Sequence, residues 1–149
     1  MKRIKFYLLL ILARFLSKII KLHGKSSGTS FIGLVTLKIE PKFLKKVSKY
    51  MNTCISVTGT NGKTTTSGIL SHILEATNHS VIHNSKGANM LSGIANTFAL
   101  GITPFKKYDF AVLESDEAYL TKLYDDINSD YLVVTNLFRD QLDRYGELS

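Results

Sequence analysis

The sequence predicts an α/β fold, a parallel β-sheet flanked by helices and preceded by an amphipathic N-terminal helix. Three observations predict it. From Thr53 onward, short apolar segments of strand length alternate with segments of helical period, the pattern of a parallel α/β sheet. A Gly/Thr-rich turn joins the first of these strands directly to the first helix. Ahead of them, basic residues recur at helical spacing through a mostly apolar stretch.

The candidate strands are residues 53–58, 80–84, 108–114 and 130–135, and the candidate helices between them are 63–77, roughly 90–100, and 117–127. In the first helix Ile69, Leu70, Ile73 and Leu74 form one apolar face that is expected to pack on the sheet. A chain of 149 residues with 44% hydrophobic content has room for one compact domain with a real core. No internal repeat or low-complexity tract interrupts it.

The formal charge of +7 is unevenly spread. Residues 1–50 carry 12 basic side chains and the single acid Glu40, a balance of +11, whereas residues 51–149 carry 7 basic and 11 acidic groups, a balance of −4. A nucleic-acid partner is not expected, because the basic arm does not interleave aromatic residues with its charges as a stacking platform requires. Residues 1–25 instead read as a basic amphipathic helix. Arg3, Arg14, Lys18, Lys21 and Lys25 form a cationic stripe, and Ile4, Leu8, Leu12, Phe15 and Ile19 form an apolar side. The uncharged run from Phe6 to Ala13 is far short of the ~20 residues needed to cross a bilayer. No small-residue cleavage site follows it, so a signal peptide is not expected either. The expected roles are seating on the inner face of the membrane or packing on the domain. Residues 26–50 read as a linker and a short N-terminal element: a break at 24–30, an apolar stretch at 31–39 ending before Pro41, and a basic helical turn or two at 42–50. The single cysteine, Cys54, lies in an apolar strand and reads as a buried core thiol, which fits a reducing, cytoplasmic setting.

The most informative stretch is Ser56-Val57-Thr58-Gly59-Thr60-Asn61-Gly62-Lys63-Thr64-Thr65-Thr66, running from strand into helix. This is the context of a phosphate-binding loop, or P-loop. Gly59 and Gly62 let the backbone turn its amides inward, and the helix N-terminus adds partial positive charge. Lys63 is placed to reach the β- and γ-phosphates of ATP, and Thr64 to offer its hydroxyl to the accompanying Mg2+. The general pattern asks for glycine at position 57, where Val57 stands, so this is a shorter Gly-Thr-Asn-Gly-Lys-Thr form. A plain helix-capping turn is the competing reading.

A nucleotide site also needs an acidic group at the carboxyl end of a neighbouring strand. Glu114 fills that place after Phe110-Ala111-Val112-Leu113, as a second magnesium ligand or as a helix cap; Asp116 and Glu117 fit capping well.

These residues resemble the Mur ligases and their folylpolyglutamate synthase relatives, whose phosphate loop is Gly-Thr-Asn-Gly-Lys-Thr-Thr. Further segments resemble one branch of that family, the ligase-like subunits of lipid II isoglutaminyl synthases: Gly87-Ala88-Asn89-Met90-Leu91-Ser92-Gly93-Ile94, Leu113-Glu114-Ser115-Asp116-Glu117-Ala118, and Thr135 through Glu147. The resemblance implies an ATP-dependent carbon–nitrogen ligase of peptidoglycan biosynthesis with a Mur ligase central domain over 51–149. Its substrate would be lipid II, whose D-glutamate α-carboxyl is activated as an acyl phosphate. Its partner would be a GatD-type glutaminase that supplies ammonia to give D-isoglutamine. Carried over position by position, Gly59, Thr60, Asn61, Gly62, Lys63, Thr64 and Thr65 would bind ATP. Thr64 and Glu114 would hold Mg2+, and Asn89 would join Lys63 and Glu114 as a catalytic residue near the γ-phosphate and acceptor carboxyl.

The wider family has histidine where Gln141 stands, and an amide is a weaker metal ligand than imidazole, which leaves a second magnesium site in question. Gln141 favours the isoglutaminyl branch over amino-acid-adding Mur ligases. Asp140, Asp143 and Arg144 read equally as catalytic groups or as an exposed charged helix start. The resemblance also implies a four-cysteine zinc insertion and further segments beyond Ser149, so the chain is expected to be a fragment with little ligase activity alone. A membrane-tethered nucleotide-binding module without catalysis is the alternative from another class.

Overall fold

The computed structural model describes residues 2–22, 29–85 and 88–137. Three helices and a short turn precede the sheet: α1 (Lys2–Leu22), α2 (Thr29–Ile39), α3 (Phe43–Val47) and a 3-10 turn at Ser48–Tyr50. The α/β part then runs β1 (Met51–Thr58), α4 (Lys63–Ala76), β2 (Val81–His83), α5 (Leu91–Gly101), β3 (Tyr108–Glu114), α6 (Glu117–Asp126) and β4 (Tyr131–Val134). Strands and helices therefore alternate as the sequence predicts, with boundaries shifted by a residue or two.

The sheet has the order β2-β3-β1-β4, and every pairing is parallel. The register sets Val57 beside Glu114 and Thr58 beside Val134. β1 carries Cys54, Ile55, Val57 and the small polar Ser56 and Thr58, all buried, as a central parallel strand covered on both faces must. The chain leaves β1 toward β2 on one side, returns to β3, and crosses to β4 on the other. The connections run in opposite directions from β1 and β3, so the topological switch point, with the crevice in which parallel α/β proteins place their ligands, lies at the carboxyl ends of these neighbouring strands.

Helix α4 does not use the expected face. Lys63, Ser67 and Ser71 are its buried residues, while Ile69 and Ile73 are each 56% exposed. The serines let the helix come close to the sheet, and Ser67 Oγ both donates to the Thr64 carbonyl at 3.2 Å and meets His83 Nε2 at 3.1 Å. Leu70 and Leu74 are left half-buried beside them.

The basic helix packs on the domain, but not through the apolar side read from the sequence. α1 buries Phe6, Leu9, Leu10 and Ala13, and exposes Ile4, Leu8, Leu12, Phe15 and Ile19. Phe6 stacks on Phe43 and Tyr50 with ring centroids 5.8 and 5.7 Å away. Arg14 donates to the Ile102 carbonyl just past the end of α5, joining a cation to a helix C-terminus. Lys18 and Lys21 are exposed, whereas Lys25 and the side chain of Arg3 lie outside what is described. α1 is thus part of the core.

In the stretch expected to hold a linker and short element, α2 packs directly on α5. A Cβ built on Gly33 would lie 1.7 Å from the Ser92 carbonyl oxygen, so only glycine permits that approach. The break expected at 24–30 falls largely outside the described residues.

Candidate nucleotide site

The loop between β1 and α4 is built by its two glycines. Gly59 sits at φ +129°, and a Cβ there would come within 2.3 Å of Thr135 Oγ1. Gly62 is the N-cap of α4 in the left-handed region, φ +83°, with no side-chain cap hydrogen bond. The helix N-terminus accordingly keeps its anion-binding polarity unspent on a capping carboxylate or hydroxyl.

The segment after β4 braces the loop. Thr60 N–H donates to the Asn136 carbonyl at 3.0 Å and Asn61 N–H to Asn136 Oδ1 at 2.9 Å. Thr135 Oγ1 donates to the Asn61 carbonyl at 2.6 Å, and Asn136 Nδ2 to the same oxygen at 3.0 Å. Both amides are therefore turned to Asn136 and not into the crevice. Thr135 and Asn136 had shown as parts of a motif; their bracing role had one signal, their place just beyond a strand on the sheet's carboxyl edge.

Lys63 is 8% exposed, and its ammonium donates to the Gly59 carbonyl and, at 3.2 Å, to that of Thr60. The Glu117 carboxylate is 3.9 Å from it. The cation is thus held over the loop. Thr64 and Thr65, one and two residues further on, are exposed at the first turn of α4.

Glu114 ends β3 with its side chain 2% exposed. Its Oε1 accepts from Thr64 Oγ1 at 3.1 Å, joining residues 50 apart in sequence. Its Oε2 is buried with no hydrogen-bond partner among the described residues. Asn84, fully buried, fixes the backbone there: Oδ1 accepts from Glu114 N–H at 2.7 Å, while Nδ2 donates to the Glu114 carbonyl at 2.7 Å and to the Ala88 carbonyl at 2.8 Å. Sequence reading passed over Asn84, whose only signal is its position at the end of a strand. Asp116 caps α6 by accepting from Ala118 N–H at 3.3 Å, so the capping role belongs to it and not to Glu114. The Asp116 N–H donates to the Asn89 carbonyl at 3.1 Å, which brings Asn89, half-buried, to the same edge. Gly87, Gln141, Asp140, Asp143 and Arg144 lie outside the described residues.

These groups fit a hard divalent cation beside a polyphosphate. A buried carboxylate oxygen without a partner is costly and is relieved by a cation. Thr64 Oγ1 and Glu114 supply oxygen donors only, and among the described residues no cluster of three or more His, Cys, Asp or Glu side chains exists. Few protein ligands, with the remaining positions left to water and phosphate oxygens, is the manner in which Mg2+ is usually held.

A parallel sheet with a Gly-Thr-Asn-Gly-Lys-Thr loop at its switch point, faced by a carboxylate from the neighbouring strand, defines an α/β core of the phosphate-loop class, and residues 57–149 match the model of the Mur ligase middle domain. The chain belongs to the Mur ligase family. Within it, the chain is 39% identical over 137 residues to the lipid II isoglutaminyl synthase (glutamine-hydrolyzing) subunit MurT of Staphylococcus aureus strain COL, covering 92% of this chain and 31% of that protein. To the subunit of the same name from Streptococcus pneumoniae it is 40% identical over 121 residues, covering 81% and 27%. It is 31% identical to the UDP-N-acetylmuramoylalanine--D-glutamate ligase of Agrobacterium fabrum, over 84% of this chain and 24% of that enzyme. Among solved structures, MurF from Acinetobacter baumannii superposes with a TM-score of 0.61 at 18% identity, over 76% of this chain and 24% of that one, and so shares the fold. The chain spans less than a third of the length of these relatives.

Proposed function

We propose that the chain is the ATP-binding portion of an enzyme that amidates lipid II. In this reading residues 51–149 are the ATP-binding domain, 26–50 lead into it, and 1–25 seat it beside the membrane. The γ-phosphoryl group passes from ATP to the D-glutamate α-carboxylate: a carboxylate oxygen bonds to phosphorus, the bond to the β-phosphate bridging oxygen breaks, and ADP leaves. Ammonia released from glutamine by a GatD-type glutaminase then attacks the acyl carbon, loses a proton and expels phosphate, leaving D-isoglutamine. Lipid II carries its own membrane anchor, so the reaction belongs at the inner face of the membrane.

Phosphoryl transfer of this kind is carried by positioning and by cations on the phosphates. The residues from Gly59 to Thr65 hold the triphosphate, with the amides of the α4 N-terminus facing it and those of Thr60 and Asn61 kept on Asn136 to fix the loop's shape. Lys63 exchanges its backbone carbonyl partners for phosphate oxygens, Thr64 and Glu114 hold Mg2+, and Asn89 orients the acceptor carboxyl. Mg2+, when bound, neutralises charge on the β- and γ-phosphates. The observation that carries this reading is the Thr64–Glu114 contact with its partnerless carboxylate oxygen. The substrate is inferred from the lipid II isoglutaminyl synthase subunits to which the chain is 39–40% identical.

Two measurements test it. Lys63→Ala should lower ATP affinity in titration calorimetry by at least tenfold, as loss of a charge-assisted contact of about 1.5–3 kcal/mol requires; unchanged affinity removes the loop from the reading. The full-length protein, mixed with its glutaminase subunit, glutamine, ATP and lipid II, should release ADP and yield amidated lipid II by mass spectrometry. ADP release only with UDP-N-acetylmuramoyl-alanine and D-glutamate would transfer the chain to the amino-acid-adding ligases.

A further inference from the structure

α1 is apolar on two opposite faces, and only one of them is used. Phe6, Leu9, Leu10 and Ala13 are buried against the rest of the molecule. On the far side Ile4, Leu8, Ile11, Phe15 and Leu22, which share one face at the helical period, are each more than half exposed. A helix apolar all round is normally enclosed, by protein or by lipid. Lys5 and Lys18 border the exposed face on either side, Lys21 stands further round, and all three are exposed. The cations thus flank the outward apolar face. No acidic residue occurs before Glu40.

We infer that this outward face of α1 is a seat for an anionic lipid surface, with the helix lying in the plane of the interface, its apolar row in the acyl boundary and its lysines among the headgroups. The proposal rests on the lipid II reading for its purpose and on the geometry of α1 for its content. Among the described residues no helix is long and apolar enough to cross a membrane, and an interfacial helix needs only a strong apolar face with a basic border. Charge complementarity selects lipid over a second copy of the chain. A second copy of the chain, docked through the same face, would bring lysines near lysines, whereas an anionic leaflet attracts every one of them.

The test is co-sedimentation of the 149-residue chain with vesicles of phosphatidylcholine, alone or with a third of the lipid replaced by phosphatidylglycerol. The chain should bind the anionic vesicles and leave the neutral ones largely unbound. Leu8→Ser, Ile11→Ser and Phe15→Ser combined should abolish binding while keeping the wild-type circular dichroism and melting curve, because those side chains touch solvent. Lys5→Gln with Lys18→Gln should weaken binding about fivefold for each lysine. Lys63→Ala should bind vesicles as the wild type does, so failure of the ligase reading and failure of the lipid seat appear in different measurements. Absence of wild-type binding to anionic vesicles, or undiminished binding by the folded triple-serine variant, overturns the proposal. So does a wild-type dimer in analytical ultracentrifugation that the same serines convert to monomer, or release from vesicles on adding a GatD-type partner, since either assigns the face to protein.

Discussion

Replacing Glu114 by glutamine should make the metal-free protein more stable while removing its response to magnesium nucleotide. The side chain is 2% exposed, with one oxygen accepting from Thr64 Oγ1 and the other without a partner. Leaving a buried charged acceptor unsatisfied costs more than the ~1–3 kcal/mol of a neutral polar group. Glutamine keeps the shape and the Thr64 contact, and exchanges an orphaned charged oxygen for a neutral amide nitrogen. The expected difference is a gain of about 1–2 kcal/mol. For a chain of this size each kcal/mol moves the melting temperature by about 2–4 °C, so a rise of roughly 3–6 °C is expected in EDTA. With ATP and magnesium at about a hundred times the dissociation constant, the wild type should gain ~2.7 kcal/mol, and the variant much less. Differential scanning fluorimetry in both buffers reads the two effects together. If Glu114→Gln melts below the wild type in EDTA, the carboxylate is a structural member of the edge and its assignment to a cation fails.

Two further substitutions or reagents probe the same architecture. Asn84→Ala removes three hydrogen bonds at a fully buried site and should lower urea-derived stability by about 2–4 kcal/mol, with loss of nucleotide-dependent stabilisation in whatever remains folded; wild-type values on both counts would show that Asn84 does not position Glu114. Burial pushes the Cys54 thiol up to about 11, so at pH 7.5 it should react with Ellman's reagent only after unfolding in guanidinium, and rapid labelling of the folded chain would contradict its place in β1.

How legible these features were depends on how local their causes are. β1, the loop and α4 follow one another without interruption, and their chemistry is written in adjacent residues: buried strand, Gly59, Gly62, Lys63. Glu114 was legible because an apolar strand pointed to its carboxyl end. Asn84 and Asn136 were not, because their partners lie 30 and 75 residues away and an asparagine after a strand is as readily a turn residue. The face of α4 was misread for a physical reason. Counting apolar side chains weights isoleucine over serine, whereas the sheet selected the face that allows close approach, Ser67 and Ser71. α1 presents the converse problem, since a helix apolar on both sides carries no internal signal of which side meets the domain.

α5 joins the two halves of this picture. Its N-terminal approach passes through Ala88 and Asn89, whose carbonyls accept from Asn84 Nδ2 and from Asp116 N–H, the groups that flank Glu114. Its far end leads to the Ile102 carbonyl that Arg14 of α1 grips, and its middle lies against α2 at Gly33. The same helix therefore connects the edge that carries Glu114 to the helix whose outer face is proposed to meet lipid. Close packing transmits displacement instead of absorbing it. A membrane-seated α1 would then hold the sheet's carboxyl edge at a fixed attitude to the leaflet, which is what an enzyme acting on a lipid-anchored carboxylate requires. A free tether would satisfy localisation without fixing that attitude, and the burial of Phe6, Leu9, Leu10 and Ala13 is the feature that distinguishes the two arrangements.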